Sequence, residues 1–213
     1  MMYTIRGCGE IGIRAGLRSQ SARVWVQVPP SPCLRRMDMK LVALDFDGVI
    51  VPEQAYFYWE GREDRKRKNP DFDRAARCCP ICISNLNYVC KQVQDLKIVI
   101  SSTWRKYFDL EQLKEILSED GFKFTDLVVG LTPSIQRGLS DSYSRRGLEI
   151  ETWIKDSSQE PVEDWVALDD HKNNIDEDHL ILTQQEVGFT LLNAYSLIER
   201  FKKGEWARPL FLM

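Results

Sequence analysis

Two carboxylates separated by one residue, Asp45 and Asp47 in Asp45-Phe46-Asp47-Gly48, follow the apolar run Leu41-Val42-Ala43-Leu44. Side chains two apart on an extended chain point the same way, so both acids can face one site. Gly48 lets the chain turn immediately afterwards. Neighbouring carboxylates repel, and a hard cation such as Mg2+, which takes oxygen ligands, relieves that repulsion. Ser101-Ser102, with Arg105 close behind, follows a second apolar run, Ile98-Val99-Ile100. Hydroxyls and backbone donors there suit phosphate oxygens. Asp169-Asp170 follows a third run, Trp165-Val166-Ala167-Leu168, and adds further carboxylates. Taken singly, each cluster has a plain explanation as a loop or a helix cap. Three of them at the ends of apolar runs point to one shared site.

The elements that would position these residues can be read from periodicity. Lys40–Leu44, Lys97–Ile100, Leu127–Val129, Trp165–Leu168 and Leu180–Leu182 are strand-sized apolar segments. Ile83, Leu86, Val89, Cys90 and Val93 recur at three- and four-residue spacing behind Pro80, which predicts a helix with one buried face. Further helices are expected over Asp109–Ser118, closed by Gly121, over Glu149–Lys155 and over Ala194–Lys202. Alternating strands and helices imply an α/β fold, a Rossmann-like parallel sheet with helices on both faces. Ligands bind beyond the carboxyl ends of such strands, where the three clusters fall. Residues 52–78 read as an irregular polar and aromatic insertion after the first strand.

The 213 residues suffice for one domain with a real core and a modest insertion. A net charge of −3 argues against holding nucleic acid by bulk positive charge, though not against a local basic groove. No apolar run reaches membrane-span length, so no membrane partner is expected. Six cysteines stand at 8, 33, 78, 79, 82 and 90, without an apolar signal-peptide core at the N-terminus, and read as free thiols in a reducing, cytoplasmic setting. Cys79-Pro80-Ile81-Cys82 invites a zinc reading. A structural zinc site needs a second pair, whereas Cys90 belongs to the apolar face of its helix, so free thiols are favoured.

Residues 1–38 differ from the rest: six arginines, no lysine, only Glu10 and Asp38 as acids, and Pro29-Pro30-Ser31-Pro32 near the end. Three readings fit: a flexible tail, an Arg-rich transit peptide, or sequence that is not native coding. Val26-Gln27-Val28-Pro29 back-translates to a run resembling the T-arm of a transfer RNA gene, which favours the third, with Met37 or Met39 as the true start. All three make 39–213 the folded domain.

Leu41–Val51, Ile98–Arg105 and Trp165–Asp170 resemble, in order and spacing, the first, second and fourth motifs of the haloacid dehalogenase (HAD) superfamily. Ser-Ser-Thr-Trp-Arg at 101–105, and Arg146-Gly147-Leu148-Glu149-Ile150 followed by Trp153-Ile154, resemble more closely the phosphatase domains of RNA-repair proteins of the polynucleotide kinase-phosphatase kind. The resemblance implies a Mg2+-dependent phosphatase acting on a phosphomonoester, on RNA or DNA ends or on nucleotides, with a small cap inserted at about 52–78. Asp45 would be the nucleophile and Asp47 the general acid and base. Asp45, Asp47, Asp169 and Asp170 would serve the metal; Ser101, Ser102, Arg105 and Arg146 would bind phosphate. The superfamily's usual third-motif lysine appears here as Arg146, with Arg145 and Lys155 as rivals.

Two other functions compete: a small-metabolite phosphatase of the same fold, and a catalytically silent binding module. Intact Asp45, Asp47, Ser101 and Asp169 speak against the module. The basic run Arg62–Lys68 could contact a phosphate backbone, but a solvated loop is the simpler reading. Tyr56–Trp59 could stack a base or pack beneath a cap. His171 could touch substrate. A chain beginning at Met39 should fold and melt like the full chain; loss of a cooperative thermal transition would assign residues 1–38 to the domain.

Overall fold

The computed structural model describes residues 39–62, 66–72, 75–135, 145–156 and 161–206, with side chains to 202. The N-terminal extension, with Cys8 and Cys33, lies outside the described residues. Five strands form one parallel sheet: β1 (Met39–Leu44), β2 (Leu96–Ile100), β3 (Val128–Leu131), β4 (Val162–Asp169) and β5 (Leu180–Leu182), in the order β3-β2-β1-β4-β5. The described helices are α1 (Glu53–Trp59), α2 (Pro80–Gln92), α3 (Leu110–Glu119), α4 (Arg146–Asp156) and α5 (Leu191–Trp206).

β1 is buried at all six positions because both its faces are covered. Val42 and Leu44 join Ile98, Ile100, Val166 and Leu168 in a cluster completed from α2, α3 and α5. Leu41 and Ala43 point the other way and pack with Val99, Ala167 and Ile150 and Trp153 of α4. The strict alternation along β1 thus separates two cores, as the pleat of a strand requires. Pro80 begins α2 at its first turn, where a missing N–H costs nothing. Asp109 and Gln112 form a capping box at the start of α3. Leu127 belongs to a single 3-10 turn over Thr125–Leu127, so β3 starts one residue later than its apolar run predicts. Among the described residues no helix is long and apolar enough to cross a membrane.

The insertion between β1 and α2 is more ordered than its composition predicts. α1 occupies Glu53–Trp59, with Ala55 and Trp59, one turn apart, buried. The Trp59 indole N–H donates to the Cys78 carbonyl at 3.0 Å. Tyr56, Phe57 and Tyr58 fill the other faces and are exposed, so apolar residues surround the helix and no period emerges.

The basic run also divides in an unforeseen way. Arg67 is buried, donating to the carbonyls of Ala75 at 3.2 Å and Ala76 at 2.7 Å, and pairing with Asp120 at 3.0 Å. Lys66 and Lys68 on either side of it are exposed, while 63–65 lie outside the described residues. Asp120 additionally pairs with Arg77 at 2.7 Å and accepts the Cys78 N–H at 2.9 Å, and its side chain is fully buried. Arg67 is therefore an anchor of the insertion on the end of α3, not a free phosphate contact. Removing Asp120 would take the shared carboxylate from buried Arg67 and half-buried Arg77 and leave the Cys78 N–H without its acceptor. Asp120→Ala should therefore lower the unfolding free energy in urea by about 3–5 kcal/mol, whereas Lys68→Ala should change it by less than about 0.5 kcal/mol.

Candidate active site

The parallel register brings the chemistry-bearing residues into one row. Leu44 is level with Ile100 on one side and Leu168 on the other, so Asp45, Ser101 and Asp169 follow side by side. The sheet's hydrogen bonds continue one residue beyond the apolar runs. Asp45 N–H donates to Leu168 O at 3.0 Å, Ser101 N–H to Leu44 O at 2.8 Å and Thr183 N–H to Asp169 O at 2.9 Å. Each functional residue is thus pinned by its backbone to the neighbouring strand, while its side chain is free of the ladder.

Asp45 and Asp169 are both buried, and the guanidinium of Arg146 joins them. One Nη1 donates to Asp45 Oδ2 and to Asp169 Oδ2, the latter at 2.9 Å. Asp45 Oδ1 accepts the Phe46 N–H at 2.7 Å, and Asp169 Oδ1 accepts the His171 N–H and the Asn173 side-chain amide, both at 2.8 Å. Burial pushes the Asp45 carboxyl up to about 6; Arg146 pulls it down, and the charge of Asp169 pushes it up again. Asp169 is likewise raised by burial, against the pull of Arg146. One guanidinium does not fully compensate two buried carboxylates.

That shortfall of positive charge is what a bound cation would remedy. Asp169, Asp170 and His171 bring ligand atoms within 4.8 Å of one another, the only such group of three or more His, Cys, Asp or Glu among the described residues. The carboxylates here are the hard oxygen donors that Mg2+ takes, and they fit such an ion. Cys78, Cys79, Cys82 and Cys90 are free and buried and form no such group. The Asp170 carboxyl sits against Gly48, where the backbone has φ +67° and any Cβ would collide with it. Glycine is therefore required there by both conformation and space. The exposed His171 ring bonds Asp170 Oδ1 through Nδ1 at 2.8 Å, and that bond raises the pKa of the imidazole.

Arg146 opens α4, and a second ion pair fixes that end of the helix. Arg105 Nη2 meets Glu149 Oε2 at 2.5 Å, and Arg105 Nη1 donates to the Ser102 carbonyl at 2.9 Å. Glu149 also accepts the Ile135 N–H at 3.0 Å. Gly147 lets α4 approach the Asn174 carbonyl closely, where a Cβ would clash. The structure thus places Arg105, expected among the phosphate ligands, on Glu149, where it ties the end of β2 to the start of α4. Of the rivals for the basic role, Lys155 lies exposed in the last turn of α4, away from the end that carries Arg146.

Ser101 and Ser102 are buried. Ser102 caps the 3-10 turn Thr103–Lys106, accepting the Trp104 N–H at 3.4 Å, and its hydroxyl also steadies the ionised Asp45. Ser101 lies 3.5 Å from the Thr132 hydroxyl. Asp47 is exposed, and its carboxylate accepts the Trp104 indole N–H. Sequence reasoning assigned no role to Trp104, Glu149, Asn173 or Thr183. Each acts through a partner distant in the chain or in a loop; only Trp104, inside Ser-Ser-Thr-Trp-Arg, and Glu149, inside Arg146-Gly147-Leu148-Glu149-Ile150, were marked out by position in a motif.

A five-stranded parallel sheet with acids at the ends of β1 and β4 has the Rossmann-like α/β arrangement of a HAD-like fold. Residues 41–194 match the family described as the HAD domain in Swiss Army Knife RNA repair proteins, and the chain belongs to that family. No curated protein and no solved structure matches it.

The raised Asp45 value has a thermodynamic consequence. Folding takes up a proton between the ordinary carboxylate pKa and about 6, so the contribution of Asp45 to stability is full below pH 4 and is lost as pH rises through 6. In chelator-treated protein, Asp45→Asn should raise the unfolding free energy at pH 8 by up to about 3 kcal/mol and change it little at pH 4. Equal shifts at both pH values would contradict the burial of an ionised carboxylate.

Proposed function

We propose that the chain is a divalent-metal-dependent phosphatase that removes phosphomonoesters from nucleic-acid ends through an aspartyl-phosphate. The observation that carries this reading is the Asp45 carboxylate, set in register beside Asp169 and held by Arg146. Asp45 Oδ attacks phosphorus, the bond from phosphorus to the ester oxygen breaks, and Asp47 gives a proton to that oxygen. Asp47 then takes a proton from the water that attacks phosphorus, which releases inorganic phosphate and restores the Asp45 carboxylate. Arg146, turning from the two carboxylates to the bound phosphoryl group, supplies a planar fork of donors to its oxygens, with Ser101 and Ser102 beside it. Arg105 holds Arg146 in place through Glu149 and α4. Asp45, Asp169 and the Asp47 carbonyl would hold Mg2+, with Asp170 supporting its surroundings. The ion would neutralise phosphate charge as the transition state forms.

The family description, RNA repair, favours a polynucleotide end as the substrate. The insertion around α1 would act as the cap, and its exposed Tyr56, Phe57 and Tyr58 offer stacking surfaces. Four buried free thiols suit a reducing cytoplasm. The burial of Arg67 favours a second reading, a small phosphorylated metabolite, because it withdraws one cation from the basic run.

A panel of 3′- and 5′-phosphorylated oligonucleotides, mononucleotides and sugar phosphates, assayed with Mg2+, separates the two. A phosphorylated oligonucleotide should be preferred in kcat/KM by at least about tenfold; a preference for sugar phosphates would establish the metabolite reading. Asp45→Asn should lower turnover by about 10^4-fold or more, and a chelator should abolish it. Turnover by Asp45→Asn within tenfold of wild type would refute the mechanism.

A further inference from the structure

Trp104 is the side chain whose placement the mechanism above leaves unexplained. It stands in the 3-10 turn after β2, nearly buried, with its ring centroid 4.9 Å from that of Phe46 and 6.1 Å from that of Phe108. Its own backbone is held at both ends: the N–H by Ser102 Oγ, and the carbonyl by the N–H groups of Tyr107 at 2.9 Å and Phe108 at 3.1 Å. From this fixed position the indole Nε1 lies 3.2 Å from Asp47 Oδ1 and 3.1 Å from Oδ2. A single N–H is therefore shared between the two oxygens of an otherwise exposed carboxylate.

We infer that Trp104 is a positioning residue that holds the Asp47 carboxyl group in the orientation needed to protonate the leaving oxygen. The inference rests on the phosphatase reading of the site. An exposed aspartate at a turn samples several side-chain rotamers, and proton transfer needs one of them. Indole nitrogen is a donor only and carries no charge, so it can orient a carboxyl group without adding an ion to a site already crowded with them. Its N–H bridges both oxygens when Asp47 is ionised. In the acid form the carbonyl oxygen is the better acceptor for it, which leaves the O–H on the other oxygen, available to the ester. Phe46 lies between the two acids in the chain and packs at a tilt against the same indole, so one ring contacts the segment that joins nucleophile and acid.

The test uses the dependence on leaving group, which a merely structural role would not move. Departure of p-nitrophenolate needs no proton, whereas departure of an alkoxide does. The constant kcat/KM reports steps only through formation of the phosphoenzyme, so it isolates this event from the later attack of water. Trp104→Phe keeps the aromatic contacts and removes the N–H. Its kcat/KM on an alkyl phosphate should fall about 30-fold or more, and this loss should exceed the loss on p-nitrophenyl phosphate by at least about tenfold. Trp104→Phe added to Asp47→Asn should cost nothing further on the alkyl ester, because the acid that the indole orients is already gone. If Trp104→Phe unfolds, benzothienylalanine placed at position 104 keeps the bicyclic volume without the N–H and should show the same split. Equal losses on both esters, or additive losses in the double variant, would overturn the positioning role while leaving the phosphatase reading intact. No turnover of either ester by the wild-type protein with Mg2+ would overturn both.

Discussion

Two carboxylates held side by side at the carboxyl edge of a parallel sheet set the terms for the rest of the structure. Asp45 and Asp169 follow level residues of adjacent strands, and strand spacing leaves them no way to move apart. Burial raises the free energy of both ionised forms, and the charge of Asp169 adds to the burden on Asp45. Such a pair persists only with positive charge supplied to it. Arg146 provides part of that charge, and what remains uncompensated makes the site attractive to a cation.

Much of the surrounding architecture serves to bring Arg146 to this place. α4 is the described helix that covers the face of the sheet lined by Leu41, Ala43, Val99 and Ala167, through Ile150 and Trp153. Its first turn is drawn in by Glu149, bound to Arg105 at the end of β2, and by Gly147, which permits contact with the loop after β4. That loop carries Asn173, which donates to Asp169. Strand ends, helix start and loop are therefore linked through buried polar contacts on a rigid apolar base, an arrangement that keeps a reacting group within a fraction of an ångström of its task.

The central strands were legible because buried parallel strands are continuous apolar runs, and their polar termini stand out against them. β1, β2 and β4, and with them Asp45, Ser101 and Asp169, follow directly. α2 and α3 were legible from apolar spacing, and Arg146 from the residues around it. α1 was not, because three exposed aromatic side chains mask the buried pair Ala55 and Trp59. Nor could local sequence tell which cation of the basic run turns inward. Arg67 does so because Asp120, 53 residues later, receives it. The same holds for Trp104, whose partner Asp47 lies 57 residues away, and for Arg105, whose partner Glu149 lies 44 residues away. Contacts between distant polar residues leave no periodic trace, and they decide the finer roles in this site.

Phosphorus bound covalently to Asp45 is the event on which the proposed chemistry turns. The direct measurement is to quench the protein during steady turnover with Mg2+, reduce it with borohydride and sequence its peptides by mass spectrometry. An acyl phosphate is reduced to an alcohol, so homoserine should replace aspartate at position 45, and only when substrate and metal are both present. Release of inorganic phosphate with Asp45 unmodified, or reduction at another carboxylate, would contradict Asp45 as the nucleophile.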